Sequence, residues 1–257
     1  MATFLFDDII FGPVKSRRLG NSLGINLLPT NEKICNFNCV YCECGLSFNS
    51  SLDNLPNVDE ILRRLENKLV QMQAENDTPD SITYAGNGEP TMHPDFYQIM
   101  QGTVQLRNKY FPNSIISVLT NASLIHVQEI REALDLADQN IIKLDSAIKE
   151  TVELINCPEN NFNLDEFIVN SKKFRQKPMI QTLFLRGTLN NRTIDNLSNE
   201  EIIQWLSVVK EIQPKSVMIY TIARDTALSG LEKVELSELE SIGKKVEALG
   251  IPVIISS

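Results

Sequence analysis

The sequence predicts an α/β fold, in the form of a partial (β/α)6 barrel of parallel strands with helices outside. Two observations carry this prediction. Six short, β-branched and nearly continuous apolar runs alternate with amphipathic segments, and these units recur at intervals of about 30–55 residues, as in proteins with a parallel sheet. Six units, rather than eight, indicate an open or partial barrel.

The predicted strands are nearly continuous in hydrophobicity, which is typical of strands buried on both faces. They cover residues 23–28, 81–86, 114–121, 140–145, 179–187 and 216–223. A seventh extended segment, 251–256, begins after Gly250. Ligands of such folds collect at the carboxyl ends of the strands, so the polar residues found there are the first candidates for function.

Helix patterns with recognisable start signals lie between the strands. After a candidate cap at Asn57, apolar residues recur at helical spacing at Val58, Ile61, Leu62, Leu65, Leu69 and Met72. Ser-x-x-Glu capping boxes at 198–201 and 237–240 predict the starts of two later helices. The last of these helices is expected to end at Gly250.

Composition indicates an ordinary globular protein. The 257 residues are expected to form one domain, with an N-terminal extension over 1–22 and a barrel core over about 23–250. No apolar stretch reaches the roughly 20 residues that span a bilayer, and Asp7 and Asp8 interrupt an N-terminus that lacks the basic region of a signal peptide. A cytoplasmic location without a membrane partner is therefore expected.

The net charge of −9 argues against a large polyanionic partner, because binding phosphates requires lysine and arginine in excess or in clusters. One local exception is the stretch with Lys15, Arg17 and Arg18. It is interpreted either as a solvated surface run or as an anion contact near the cysteine loop described next.

Four of the five cysteines lie between Cys35 and Cys44, in a loop directly after the first predicted strand. In a reducing compartment such a cluster binds metal more often than it forms disulfides. Cys35, Cys39 and Cys42 have C-x3-C-x2-C spacing, and Cys44 could complete a four-ligand zinc site. Alternatively, three thiolates on a cubane iron–sulfur cluster would leave one iron open to a small molecule, whereas pure electron transfer normally uses four cysteines.

The C-x3-C-x2-C spacing, with Tyr41 before the third cysteine, resembles the signature of the radical S-adenosylmethionine (radical SAM) superfamily. The resemblance implies that Cys35, Cys39 and Cys42 bind a [4Fe–4S] cluster whose open iron chelates the methionine moiety of S-adenosylmethionine. One electron then cleaves this cosubstrate to methionine and a 5′-deoxyadenosyl radical, which abstracts hydrogen from the substrate. The resemblance further implies flavodoxin or ferredoxin as the electron donor, and sensitivity to oxygen.

The second predicted strand leads into a glycine-rich turn, residues 85–90. Gly86 and Gly88 allow close backbone approach to a ligand, and Glu89 before a proline is expected to be extended and exposed. A generic turn would also explain the glycines. The turn resembles the superfamily's Gly-Gly-Glu-Pro segment, which implies that it binds the amino group of the methionine moiety. Asn87 replaces one glycine, a small departure because that contact is made largely by the backbone.

Polar residues follow the other predicted strands, and the simplest interpretation of each alone is solvation of a strand end. They are Asn121, Lys143, Asp145, Arg186, Tyr220 and Arg224. Arg186 or Lys143 is expected to bind the carboxylate of S-adenosylmethionine, since a carboxylate needs a cation. Asn121 and Asp145 are the candidates for its ribose, and the backbone around Tyr220 for its adenine.

The resemblance covers most of the chain, from about residue 10 to the C-terminus. It rests on blocks at 12–30, 86–96, 143–156 and 180–190, which look like a group related to the wyosine-type enzymes that modify transfer RNA. It implies a catalytic core without an added domain.

Three functions remain open at the level of the sequence. The favoured one is a radical SAM enzyme that acts on a small molecule or a peptide; a wyosine-type RNA-modifying enzyme is disfavoured by the negative charge and by the lack of a basic, aromatic stripe. The third is a non-enzymatic zinc- or cluster-binding regulatory module with Cys44 as fourth ligand. No catalytic residue is assigned: Tyr41, Cys44 and Tyr84 are candidates by proximity alone, and Cys157 is interpreted as a buried structural thiol.

Overall fold

An eight-stranded, mostly parallel sheet is the centre of the computed structural model, which describes residues 4–47, 51–160, 162–189, 191–224, 226 and 228–257. The strands of the described chain are β1 Ile10–Ser16, β2 Gly20–Ile25, β3 Ser81–Tyr84, β4 Ile115–Thr120, β5 Gln139–Lys143, β6 Met179–Leu183, β7 Arg186–Leu189, β8 Arg192–Asp195, β9 Ser216–Tyr220, β10 Leu231–Glu232 and β11 Val253–Ser256. The order in the large sheet is β1-β2-β3-β4-β5-β6-β9-β11.

The large sheet confirms the predicted α/β class and partial barrel. All six predicted strands occur in it, the seventh extended segment forms β11, and every neighbouring pair from β2 to β11 is parallel. The sheet curls into a half-barrel with helices around it. The carboxyl ends of the parallel strands therefore meet at one rim.

The helices that pack around the sheet are α1 Val58–Glu75, α2 Phe96–Tyr110, α3 Gln128–Leu134, α4 Lys149–Ile155, α5 Leu164–Ser171, α6 Asn199–Ile212 and α7 Leu236–Glu247. Among the helices of the described chain, none combines the length and the apolar character that crossing a bilayer requires. The predicted caps at the starts of α1 and α6 are present, since the side chains of Asn57 and Ser198 accept hydrogen bonds from the backbone N–H groups of Glu60 and Glu201 at 2.9 and 3.3 Å.

The capping box predicted at 237–240 is wrong. Helix α7 starts at Leu236, so Ser237 lies within its first turn, and Glu235 occupies the cap position without a side-chain hydrogen bond. The helix ends at Glu247, before the predicted end at Gly250. Gly250 follows with φ of +76°, a conformation that glycine adopts without strain.

The strand predicted over 179–187 is present but shorter than predicted, because β6 ends at Leu183 and the chain then enters a separate three-stranded antiparallel sheet, β10-β7-β8. The side chain of Asn196 stabilises this change of direction. Its side chain accepts from the N–H of Leu185 at 2.9 Å and donates to the carbonyls of Leu183 and Asp145, both at 2.8 Å. These bonds satisfy backbone groups that a longer β6 would pair with neighbouring strands.

The N-terminal extension contains a strand that the sequence did not predict, because β1 pairs with β2 as an antiparallel hairpin. Leu19, in the turn of this hairpin, packs against Ile141, Met179 and Met218. These three residues alternate along their strands with residues that pack under the helices, such as Ile142 and Ile180. Since side chains alternate between the two faces of a strand, the hairpin turn covers the inner face of the half-barrel.

Candidate functional site

A buried loop, here called the cysteine segment (residues 33–47), connects β2 to the region before α1. On one side, the N–H of Ile34 donates to the carbonyl of Asn87 at 2.9 Å, and the carbonyl of Ile34 accepts from Glu89 at 3.0 Å. On the other side, the N–H groups of Asn38 and Val40 donate to the carbonyls of Cys157 and Ile155 at the end of α4, at 3.1 and 2.9 Å. The cysteine segment is thus fixed between the loop that follows β3 and the end of α4.

The side chain of Lys33 links the first and last parts of the cysteine segment. Its side-chain Nζ donates to the carbonyls of Phe37 and Gly45, at 3.1 and 2.9 Å, and the residue is 5% exposed. The hydroxyl of Ser47 donates to the carbonyl of Lys33 at 2.9 Å. Sequence analysis did not identify Lys33, because a lysine is almost never fully buried unless it is paired.

The charge of Lys33 suits a group of thiolates. Burial acts against its ammonium form, but the negative charges of Cys42, Cys35 and Cys39 outweigh that cost and raise the pKa of Lys33. The neighbouring Cys44 side chain, together with the Lys33 ammonium, lowers the pKa of Cys42. Burial raises the pKa of Cys35 and of Cys39.

Two cysteines of the C-x3-C-x2-C motif accept hydrogen bonds from side-chain amides. The Sγ of Cys35 accepts from the Nδ2 of Asn121 at 3.7 Å, and the Sγ of Cys39 accepts from the Nδ2 of Asn156 at 3.4 Å. The positive charge of Lys33 favours the thiolate form of Cys42. N–H donors of this kind orient metal-bound thiolates and tune the metal centre. The donor set therefore fits an iron–sulfur cluster held by three thiolates.

A single metal ion fits these side chains less well. Among the described residues, no three His, Cys, Asp or Glu side chains converge closely enough to hold one metal ion. A closed zinc site needs its thiolates about 2.3 Å from a shared ion. Thiolates that bind separate irons of one cluster do not need to converge in this way.

Glu89 is buried, which corrects the expectation that it is exposed; its backbone is extended, as predicted. Its carboxylate accepts hydrogen bonds from the N–H and hydroxyl of Thr91 at 3.1 and 2.5 Å, from the hydroxyl of Thr120 at 2.7 Å and from the N–H of Asn121 at 2.6 Å. Burial raises the pKa of Glu89 against the effect of these bonds. Both carboxylate oxygens are engaged within the chain, so Glu89 positions the end of β4, where Asn121 reaches Cys35.

Asp145 joins the ends of β5 and β6 to the cysteine segment. One carboxylate oxygen accepts from the hydroxyl of Tyr41 and from the Nδ2 of Asn156, the latter at 2.6 Å. The other accepts from the N–H of Leu183 at 2.8 Å and from the Nζ of Lys143 at 3.3 Å. Asp145 thus fixes Tyr41 and the Asn156 amide that reaches Cys39. The sequence did not identify Asn156, which lies in an unremarkable polar stretch.

Lys143 and Tyr220 lie beside this network. The Nζ of Lys143 donates to the hydroxyl of Tyr220 at 3.1 Å and lies 5.0 Å from the centroid of the Tyr41 ring. Burial opposes the charge of Lys143, but the carboxylate of Asp145 and the hydroxyl of Tyr220 raise its pKa. The structure therefore brings Tyr41, Lys143, Asp145 and Tyr220 together, next to Cys39.

Asn87 is occupied by the N-terminal segment. Its side chain accepts from the N–H of Phe6 at 2.9 Å and donates to the carbonyls of Phe6 and Pro29 at 2.9 and 2.8 Å. The carbonyl of Gly86 accepts from the Cys44 thiol at 3.4 Å. Asn87 thus replaces a glycine with a side chain that has its own structural partners, and Cys44 faces the glycine-rich turn.

Arg186 is engaged away from the network around Asp145. Its guanidinium donates to both carboxylate oxygens of Glu238, at 2.7 and 3.1 Å, and lies 3.6 Å from the carboxylate of Asp195. The role predicted for it, binding the carboxylate of S-adenosylmethionine, stays a prediction, and these acidic partners count against it. Arg224 pairs with Glu43 at the surface.

Two residues differ from their sequence-based interpretations. The hydroxyl of Tyr84 donates to Thr103 at 2.7 Å, and its ring packs edge-on against Phe96, so Tyr84 points under the helices and away from the cysteine segment. Cys157 is partly exposed rather than buried, and its thiol donates to the carbonyl of Leu154 at 3.6 Å.

Gly88 provides a test of the contact between the glycine-rich turn and the cysteine segment. A Cβ at this position would lie 1.6 Å from the carbonyl oxygen of Ile34, at a φ of +143°. Gly88→Ala is therefore expected to lower the melting temperature strongly and to displace the cysteine segment. Gly250→Ala is the matched control, since φ there is +76° but a Cβ would meet nothing within 4 Å, and its cost is expected to be about 1–2 kcal/mol. Equal losses in both variants, measured by thermal unfolding, would show that the contact is unimportant.

Comparison with solved structures identifies the fold. The chain superposes on a radical SAM methyltransferase from Sphaerobacter thermophilus with a TM-score of 0.66 and 12% identity, over 91% of this chain and 65% of that one. It superposes on SuiB of Streptococcus suis, solved with the precursor peptide SuiA, with a TM-score of 0.64 and 17% identity, over 91% and 48% of the two chains. The chain therefore has the fold of radical SAM enzymes, and the resemblance in the sequence is confirmed at that level.

Comparison with known sequences identifies the family. A UPF0026 protein of Synechocystis is 31% identical over 95% of this chain and 94% of its own length. The chain belongs to the UPF0026 family. No family model matches the chain. A protein of Brachyspira hyodysenteriae named GTPase Obg is 34% identical over 93% of this chain, which spans about a third (33%) of that relative's length.

Proposed function

We propose that the chain is a radical SAM enzyme in which Cys35, Cys39 and Cys42 bind a [4Fe–4S] cluster. The observation that carries this proposal is that Cys35 and Cys39 each accept a hydrogen bond from a side-chain amide, of Asn121 and of Asn156, within one segment that also contains the buried ammonium of Lys33. That segment lies beside the strand ends at which folds of this class collect their ligands.

When bound, the cluster and S-adenosylmethionine would supply one-electron, hydrogen-abstracting chemistry. The chain's own residues prepare the site for it. Burial of Cys35 and Cys39 limits the access of water to their sulfurs, and the ammonium of Lys33 offsets the negative charge of the thiolates. Hydrogen bonds and local charge are the means by which a protein sets the potential of such a cluster.

The proposed binding region for S-adenosylmethionine lies between the glycine-rich turn and the Lys143–Tyr220 pair. The backbone of Gly86 and Gly88 borders it on one side, while the ammonium of Lys143 is the nearest proposed partner for a carboxylate on the other. Because their polar atoms are already bonded within the chain, Glu89, Asn121 and Asp145 are proposed to position the site. This differs from the sequence-based hypothesis, in which they contact the cosubstrate directly.

A small molecule or a peptide is the proposed substrate. The net charge of −9 disfavours RNA, and the neighbour SuiB was solved with a peptide, which supports a peptide-sized ligand in this fold. Flavodoxin or ferredoxin is the proposed electron donor. Loss of the cluster in air is part of the same proposal.

Reductive cleavage tests the proposal directly. The chain is purified without air, its cluster is reconstituted, and it is reduced in the presence of S-adenosylmethionine. We expect 5′-deoxyadenosine to form only when reductant, cluster and cosubstrate are all present. Complete absence of this product in a preparation with intact iron and sulfide would contradict the proposed function.

A further inference from the structure

Arg18 lies in the turn of the β1–β2 hairpin, on the inner side of the half-barrel. The next residue, Leu19, packs against Ile141, Met179 and Met218 on the inner face of the sheet. The Cζ of Arg18 lies 4.5 Å from the centroid of the Tyr220 ring. The hairpin therefore carries a guanidinium to the rim where β9 ends, next to the proposed cosubstrate region.

The guanidinium of Arg18 has an unsatisfied buried nitrogen. Its Nη1 is inaccessible to solvent and has no hydrogen-bond partner in the described part of the chain. No carboxylate of the described residues forms an ion pair with it. A buried cationic nitrogen without a partner is costly, so a bound group that accepts a hydrogen bond from it would be stabilised.

The nearby charges leave Arg18 as the source of uncompensated positive potential. Lys143 also faces the Tyr220 ring, with its Nζ 5.4 Å from the ring centroid, but Asp145 lies 3.3 Å from the same Nζ and compensates part of its charge. Arg17, next in the chain, is exposed and bonded to the carbonyl of Ser257 at 2.7 Å. The two adjacent arginines thus differ: Arg17 donates a hydrogen bond to Ser257, and the Nη1 of Arg18 is available to bind a ligand.

We propose that Arg18 binds an oxyanion, a carboxylate or phosphate group of the substrate, inside the half-barrel. A planar guanidinium matches the two oxygens of such a group, and stacking on an aromatic ring fixes its plane. The inference rests on the proposed function, in which the half-barrel holds a substrate. It adds the class of chemical group that this substrate carries. It also makes the hairpin a specificity element.

The test uses Arg18→Gln and Arg18→Lys, with Arg17→Gln as the matched control from the same turn. The probes are inorganic phosphate and succinate, titrated calorimetrically into the anaerobically purified, cluster-loaded chain against chloride at equal ionic strength. We expect saturable one-site binding of at least one probe. Arg18→Gln should weaken it by about tenfold or more, Arg18→Lys should weaken it less, and Arg17→Gln should leave it unchanged. Circular dichroism of each variant controls for folding.

Several results would overturn the proposal: no saturable binding of either probe, equal binding by Arg18→Gln and the unsubstituted chain, or an equal loss in Arg17→Gln. A comparable loss of S-adenosylmethionine binding in Arg18→Gln would also overturn it, because Arg18 would then contact the cosubstrate. Preference for phosphate or for succinate decides between the two oxyanions. If S-adenosylmethionine is not cleaved by the unsubstituted chain, the proposed function fails, while the titrations still decide the fate of the oxyanion site.

Discussion

Replacement of Cys39 by alanine is expected to abolish the formation of 5′-deoxyadenosine. Cys39 is buried, and its sulfur accepts a hydrogen bond from the Asn156 amide, so alanine at this position removes both a proposed cluster ligand and that bond. Loss of a partner behind a metal ligand typically costs about 10–100-fold in affinity or activity, and loss of the ligand itself should cost more. The measurement is product per chain under reducing conditions, together with iron retained after desalting.

Cys157→Ala is the matched control for Cys39→Ala. The Cys157 thiol is partly exposed and donates to the Leu154 carbonyl, so its removal should leave iron content and product formation near those of the unsubstituted chain. Cys44→Ala tests the zinc interpretation, in which Cys44 is a fourth ligand. Full iron retention in Cys39→Ala would contradict the assignment of the cluster ligands.

Asp145→Asn is expected to destabilise the fold by about 3–5 kcal/mol, the usual cost of breaking a buried ion pair. The side chain of Asp145 is inaccessible to solvent. The substitution removes its negative charge and leaves the Lys143 ammonium buried without its counter-ion. The asparagine would also place an N–H₂ group opposite donors from Tyr41, Asn156 or the Leu183 backbone. The measurement is the shift of the denaturant midpoint at constant slope, under anaerobic conditions.

Asp8→Asn is the control for this substitution, because Asp8 pairs with Arg64 at the surface at 2.9 Å and should contribute at most about 1 kcal/mol. The double variant Asp145→Asn/Lys143→Met should recover part of the loss, since it removes the uncompensated charge. A loss in Asp145→Asn as small as that in Asp8→Asn would show that the network does not hold the site together.

The sequence predicts the parallel sheet well because its strands carry their own signal. Runs such as 114–121 and 216–223 are buried on both faces, and continuous hydrophobicity is visible without knowledge of their partners. Strand β1 is different: Gly12 and Pro13 interrupt its pattern, as is common in an edge strand, so it is recognisable only once β2 is beside it. The break after Leu183 depends on Asn196, which is distant in sequence.

The candidate site is predicted less completely, and for a consistent reason. Motif spacing indicates the three cysteines and the glycine-rich turn, since these act through short segments of chain. Lys33 and Asn156 act through long-range burial and hydrogen bonding, which one sequence does not display. Glu89 shows the same limit, because a carboxylate at a predicted strand end looks solvent-exposed until Thr120 and Asn121 are placed around it.

The most direct measurement of the central claim is the electron paramagnetic resonance spectrum of the reduced, air-free chain before and after addition of S-adenosylmethionine. If three thiolates from Cys35, Cys39 and Cys42 hold a [4Fe–4S] cluster with an open iron, the spectrum of the reduced cluster changes when the cosubstrate binds. A chain that carries zinc without sulfide, or a cluster whose spectrum is unaltered by saturating S-adenosylmethionine, would contradict the account.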